Sequence, residues 1–376
     1  MLPFITGAIW LYVSWRFVWS LPWGLAGRIG LALALLLVSH HHQITRRYFG
    51  SMASPEIPQE ALIGLGWAFG AVLLLAMLLL LRDALGMLVF LAAPGAGRAI
   101  LGGGALPQAL GALAVALSAI GVWQAVRVPG VKTLEIALPG LPRAFDGYRI
   151  VQLTDLHISR LLPEAWTAAV VDKAKALDPD LMVLTGDLQD GTPEARAADV
   201  RPLGLLHARD GVLAIPGNHE YYADYRRWMA VLRELGLRML ENEHVILRRG
   251  DAALAVAGIT DRQAGAFGQP GPDLQAALAG IPPGTATILL DHRPANAPLA
   301  AQAGVALQLS GHTHGGQILG AHVLTQWANG GYVSGLYAVG AMTLYLSNGT
   351  GLWNGLPIRL GRPSEITLIV LRAAER

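Results

Sequence analysis

Apolar residues run almost unbroken through the first third of the chain and then give way to short alternating blocks. Four stretches, 2–21, 25–43, 61–81 and 106–126, have the length and apolar character expected of transmembrane helices, which need about 20 residues to cross a core of about 30 Å. Arg16 lies near one end of the first, where its head can snorkel into the interface. That stretch is expected to be retained as a span, because it has no basic n-region and no small-x-small cleavage site after it. The second ends in His40, His41 and His42, with Arg46 and Arg47 as interfacial anchors. Consecutive helical side chains do not converge on one point, so the three histidines read as a polar boundary, not a metal site. The third carries Gly66 and Gly70 as G-x-x-x-G, a spacing that permits close packing of a neighbour. Residues 85–93 are apolar but too short to cross, and Pro94-Gly95 follows, so an interfacial or re-entrant segment is expected there. The fourth opens with Pro107, harmless in a first turn.

From Val131 the pattern becomes that of an α/β domain, with short apolar runs between turn residues and amphipathic stretches. Strands are expected at 148–154, 181–185, 211–215, 288–290, 306–309, 342–346 and 365–371, and a hairpin joins 245–248 to 254–257 across Arg249-Gly250-Asp251. Helices are expected at 163–177, 196–208 and 225–235. The chain therefore divides into a helical transmembrane region, 1–130, and a globular domain, 131–376.

Charge sharpens that division. Residues 1–126 hold nine charged side chains and the remaining 250 hold the other 45 of 54. A bilayer accounts for such polarity, since a charge at the hydrocarbon centre costs roughly 2.5 to 3.5 kcal/mol on insertion scales. The globular part is nearly neutral, so no basic footprint for nucleic acid is present and no nucleic-acid partner is expected. Without cysteine there are no disulfides and no thiolate metal sites. An integral, multi-pass protein of a bacterial cytoplasmic membrane is expected. Arg46, Arg47, Arg127 and Lys132 on one side nearly balance Arg28, Arg82 and Arg98 on the other, tipping the globular part toward the cytoplasm.

Five of the expected strands end in hard or borderline metal ligands: Thr154-Asp155-Leu156-His157, Gly186-Asp187-Leu188-Gln189-Asp190, Gly217-Asn218-His219-Glu220, Asp291-His292 and Gly311-His312-Thr313-His314. One such cluster alone is an ordinary turn or cap. Five at strand ends point to convergence, because the crevice of an open α/β sheet lies at the carboxyl ends of its strands. The series D-x-H, G-D-x-x-D, G-N-H-E, a single His and G-H-T-H-G-G-Q resembles the calcineurin-like metallophosphoesterase family over residues 145–376. The closing stretches 346–351 and 357–361 also look like family motifs. The match is closest to its bacterial membrane-anchored branch. The resemblance implies a four-layer α-β-β-α sandwich with two divalent metal ions (manganese, iron or zinc) at the sheet edges.

Carried over position by position, it implies one metal on Asp155, His157, Asp187 and His314, and a second on Asp187, Asn218, His292 and His312. A carboxylate can bridge two such cations, and the pair can make a nucleophilic hydroxide at neutral pH. By the same resemblance His219 handles proton transfer. Asp190 is either the carboxylate that fixes its tautomer or a loop cap ahead of Gly191, and Glu220 holds the loop. The protein phosphatase branch has Arg where Gly191 stands, which disfavours that activity. Arg293 and Arg359 are each either a phosphate contact or a surface cation, while His207, His244 and His322 lie outside the motifs. The expected function is hydrolysis of phosphomonoester, phosphodiester or pyrophosphate bonds, on a phosphorylated small molecule or a lipid at the bilayer. A catalytically silent metal-binding scaffold of the same fold is the alternative.

Overall fold

A computed structural model describes residues 2–373. The chain divides into two compact units, one formed by 1–125 with 354–360, the other by 126–353 with 361–376.

The first unit is helical: α1 (Leu2–Arg16), α2 (Leu25–Ser39), α3 (His41–Tyr48), α4 (Gln59–Ala92), α5 (Pro94–Leu101) and α6 (Ala105–Val126). Among the described residues two helices, α4 and α6, are long and apolar enough to cross a membrane, not the four expected. The first two stretches fall short because α1 and α2 have 15 residues each, about 22 Å at the helical rise. A short 3-10 turn at Val18–Ser20 and the break at His40 cut them. In contrast α4 runs on for 34 residues through the stretch expected to be separate, because nothing breaks it before Pro94. Arg16 does not snorkel. It forms a two-pronged pair with Asp83 at 2.8 and 2.6 Å, and Tyr12 and Arg82 bond the same carboxylate. A charge among apolar helices is tolerated when it is paired and hydrogen-bonded.

Residues 354–360 pack against α4 and α6, which no sequence pattern announces. Gly66 and Gly70 make room: a Cβ at Gly66 would fall 2.5 Å from Pro357, and one at Gly70 2.5 Å from Ser118 Oγ. At Gly121 a Cβ would meet Ile358 at 2.3 Å, and the Gly121 carbonyl accepts from Arg359 N at 2.9 Å. Arg359 is fully buried in this segment.

Among the described residues the second unit holds twelve strands in two mixed six-stranded sheets. The strands are β1 (Gly130–Leu138), β2 (Arg149–Leu153), β3 (Leu181–Thr185), β4 (Val212–Ile215), β5 (Arg238–Met239), β6 (Glu243–Arg249), β7 (Ala252–Gly258), β8 (Ala286–Leu290), β9 (Leu307–Ser310), β10 (Gly335–Val339), β11 (Met342–Leu346) and β12 (Glu365–Ala373). The first sheet has the order β1-β12-β2-β3-β4-β5 and the second β10-β11-β9-β8-β7-β6. In the first, β2 to β5 are parallel, and in the second, β7, β8, β9 and β11 are parallel.

Alternation along the strands sends one face of each sheet into a common core. Ile150, Leu181, Val183, Leu213 and Ile215 of the first sheet share it with Leu254, Val256, Ile288, Leu290, Leu307 and Leu309 of the second. The intervening residues Val151, Met182, Leu184 and Ala214 are buried as well, so the first sheet is covered on its outer face. On the outer face of the second sheet Ala257, Leu289 and Leu344 pack with Ala277, Ala297 and Ala300 from two short helices. Strands buried on both faces read as continuous apolar runs, which is why 181–185 and 342–346 were legible to the residue. The expected helix at 196–208 instead starts at Pro193, behind a Thr192 cap, and turns 3-10 at Arg201.

Candidate metal centre

The loops that follow β2, β3, β4, β8 and β9 meet at one edge of the two sheets, and their backbones are unusual. Nine non-glycine residues among those described have positive φ, and five of them are Asp155, His157, Asp187, His312 and His314. Left-handed backbone at residues with a Cβ costs about 1 to 3 kcal/mol each and persists where surroundings over-determine it. The strain is concentrated on the residues singled out for metal binding.

Ligand atoms of Asp155, His157 and His314 lie within 4.8 Å of one another, as do those of Asp187, His292 and His312. Asp187 links the sets: its Oδ2 is 3.2 Å from His292 Nε2 and 3.7 Å from His157 Nε2. His157 Nε2 and His314 Nε2 face each other at 3.2 Å, an approach stable only with a proton or cation between the lone pairs. Asn218 Oδ1 is buried without a hydrogen bond. Facing imidazole nitrogens among buried carboxylates, with Asp, Asn and His and no sulfur, fit divalent manganese, iron or zinc. Six of the seven expected ligands fall in these groups, and Asn218 directly precedes His219, whose backbone amide donates to Asp187 Oδ1.

The ring nitrogens not facing the centre are held elsewhere, as metal-site histidines usually are. His292 Nδ1 bonds the Thr185 carbonyl at 2.8 Å. Asp190 serves two rings: Oδ2 takes His157 Nδ1 at 3.2 Å and Oδ1 takes His219 Nδ1 at 2.5 Å. It is therefore a partner to histidines and not a loop cap. Glu220 accepts from the amides of Gly217, Asp187 and Leu188, tying the second loop to the third. The closing stretch fixes the first loop, with Thr350 N on the Thr154 carbonyl and Gly351 N on that of Asp155.

Glycine is required where loops cross. A Cβ at Gly311 would lie 2.2 Å from both Asp155 Oδ2 and Thr154 Oγ1. Gly311→Ala is expected to displace Asp155, lower metal content at the Asp155 position, and cut hydrolysis at least about tenfold, the usual cost of ångström-scale misplacement. Metal analysis beside turnover checks this.

Charge in the centre is dense. Burial opposes ionisation of Asp187, yet His292, His219 and His157 hold its carboxylate well below the usual range. Burial likewise opposes ionisation of Asp190, but His219 and His157 bring it to about 2. Burial pushes Asp155 up, with Asp187 adding to the effect against His292. Burial would lower His219 and His292, but Asp190 and Asp187 raise the first to about 9, and Asp187 and Asp155 raise the second to about 10. Metal binding to such ligands releases protons, so these shifts describe the metal-free centre.

Several site residues carried no sequence signal. Tyr222 and Trp353 flank the His219 ring at 4.9 and 6.2 Å between centroids. Asp261, after β7, bonds Arg293 Nε at 2.7 Å. It is a sixth acid beyond a strand end, and that placement was the one available clue. Asp291 faces away from the centre, bonded to Asn296 and the Arg293 amide. His244 bonds the Ala277 carbonyl at 2.9 Å, outside the site.

Two mixed sheets thus carry candidate metal-binding Asp/His groups at one edge. Residues 148–316 match the family described as calcineurin-like phosphoesterase. The bovine "transmembrane protein with metallophosphoesterase domain" is 37% identical over 270 residues, covering 69% of this chain and 60% of that protein. An uncharacterized metallophosphoesterase of Campylobacter jejuni is 33% identical, covering 69% and 68%, and one of Bacillus subtilis is 32% identical, covering 62% and 82%. This chain belongs to the calcineurin-like metallophosphoesterase family. It spans about three fifths of the length of the bovine protein and its zebrafish counterpart.

Proposed function

We propose that this chain is a membrane-anchored, dinuclear metal-dependent phosphohydrolase acting on a phosphate ester or anhydride, with a lipid-linked phosphate as the favoured substrate class. The observation that carries it is the meeting of two Asp/His sets at Asp187. Asp155, His157, Asp187 and His314 would hold one cation, and Asp187, Asn218, His292 and His312 the other. When bound, the pair supplies Lewis acidity toward phosphoryl oxygen and acidifies water. Asp190 keeps the proton of His219 on Nδ1, so the ring presents Nε2 to the cleft. Asp190, and in the metal-free site Asp187, favour the protonated ring, and a proton on Nε2 can pass to a departing oxygen. Tyr222 and Trp353 pack edge-on against the ring and help keep it in place.

The two candidate spans and the bovine relative's name support the anchor and motivate the lipid. A bilayer and a phosphorylated lipid or small molecule are the partners this reading requires. The test reconstitutes the full chain in bilayers with manganese and offers aryl phosphomonoesters, aryl phosphodiesters, pyrophosphates and a panel of lipid phosphates. Hydrolysis of a lipid phosphate in preference to soluble esters is expected. Cleavage of aryl esters alone removes the lipid assignment, and two bound metals without any turnover favour the silent scaffold.

A further inference from the structure

Arg293 directly follows His292, and its side chain is almost fully buried. Its Nε donates to Asp261 Oδ2 and its Nη1 to His312 Nε2, each at 2.7 Å. Asp261 is buried too and otherwise accepts from Gln263 N, so its position is fixed by its own loop. Arg293 Nη2 has no partner among the described residues. A neutral imidazole has one lone pair, and a guanidinium N-H can only donate. In this structure Arg293 uses the lone pair of His312. A cation on His312 needs that same lone pair, whichever nitrogen it occupies. Metal at His312 and the Arg293 contact therefore exclude each other.

We propose that Arg293 binds a nonbridging oxygen of the substrate's phosphoryl group once a cation holds His312, with Asp261 as its positioning residue; this rests on the hydrolase reading above. Losing His312 leaves Nη1 and Nη2 unpaired while Asp261 still anchors Nε. A buried guanidinium without acceptors is costly, and a phosphoryl oxyanion satisfies the remaining fork. The anion is negative before reaction as well as during it, so this contact acts mainly on binding.

The test uses the full chain saturated with manganese, with orthophosphate as probe in isothermal titration, beside steady-state kinetics on an aryl phosphate. Arg293→Ala is expected to keep wild-type manganese content, weaken orthophosphate binding by roughly tenfold or more, and raise KM by a similar factor with a smaller change in kcat. Arg293→Lys should recover only part of the affinity, because an ammonium lacks the fork. Metal-free wild-type protein should bind orthophosphate no better than the Ala variant. An Ala variant with full metal and wild-type phosphate affinity overturns the proposal. So does loss of metal that, once restored by excess manganese, restores phosphate affinity, since Arg293 would then only orient His312. A wild-type chain that takes up no manganese defeats the hydrolase reading itself, and this inference with it.

Discussion

Asp187→Asn is expected to leave the chain with neither metal and to lower hydrolysis by about 10³-fold or more, the scale on which transition-state charge stabilisation is lost. One carboxylate stands between both ligand sets, with Oδ2 3.2 Å from His292 Nε2 and 3.7 Å from His157 Nε2. Its Oδ1 accepts the His219 amide at 2.8 Å, a bond the amide side chain can keep. The substitution therefore removes charge while preserving shape and local fold. Loss at a peripheral ligand should differ: His314→Ala should empty mainly the position shared with Asp155 and His157, and His312→Ala mainly the one shared with Asn218 and His292. Elemental analysis of the three variants separates a bridging role from two independent ones.

His219→Ala is expected to retain both metals and lose turnover by roughly 10²- to 10⁴-fold, the usual worth of a positioned proton donor. The ring sits beside the centre, with Nδ1 on Asp190 and Nε2 4.0 Å from Asp187 Oδ2. Geometry alone also admits His219 to a ligand group with His157 and Asp187. Metal content therefore decides its role, and a missing metal in this variant would move His219 into the ligand set. The leaving group gives a second check. If His219 donates to the departing oxygen, esters of acidic phenols, which leave without a proton, should suffer less than alkyl esters.

The convergence of the ligand clusters was legible in the sequence because each lies directly after a buried strand, where alternation and turn residues mark the boundary, while the division of ligands between two metals came only from the family resemblance. Asp155, Asp187 and His312 could be placed from that position alone. Their left-handed backbone could not, since it depends on loops from other strands pressing on each residue. Asp261 was missed because Thr260-Asp261 reads as an ordinary turn until Arg293 is seen on it. In the helical unit, hydropathy locates apolar residues but not where a helix breaks. Polar residues near His40 therefore shortened one expected span, while the run 85–93 lengthened another. The packing of Pro357 and Ile358 at Gly66, Gly70 and Gly121 was invisible, because a small residue in a helix does not name its neighbour.

If two cations joined through Asp187 make this chain a phosphohydrolase, metal content and turnover must rise and fall together. The most direct measurement is metal content per chain, determined with aryl phosphate turnover on the same preparation before and after chelation and after readdition of manganese. Close to two metals per chain are expected, with loss of turnover on chelation and its return on readdition. Turnover that survives complete chelation, or a chain that binds a single metal at full activity, would contradict it.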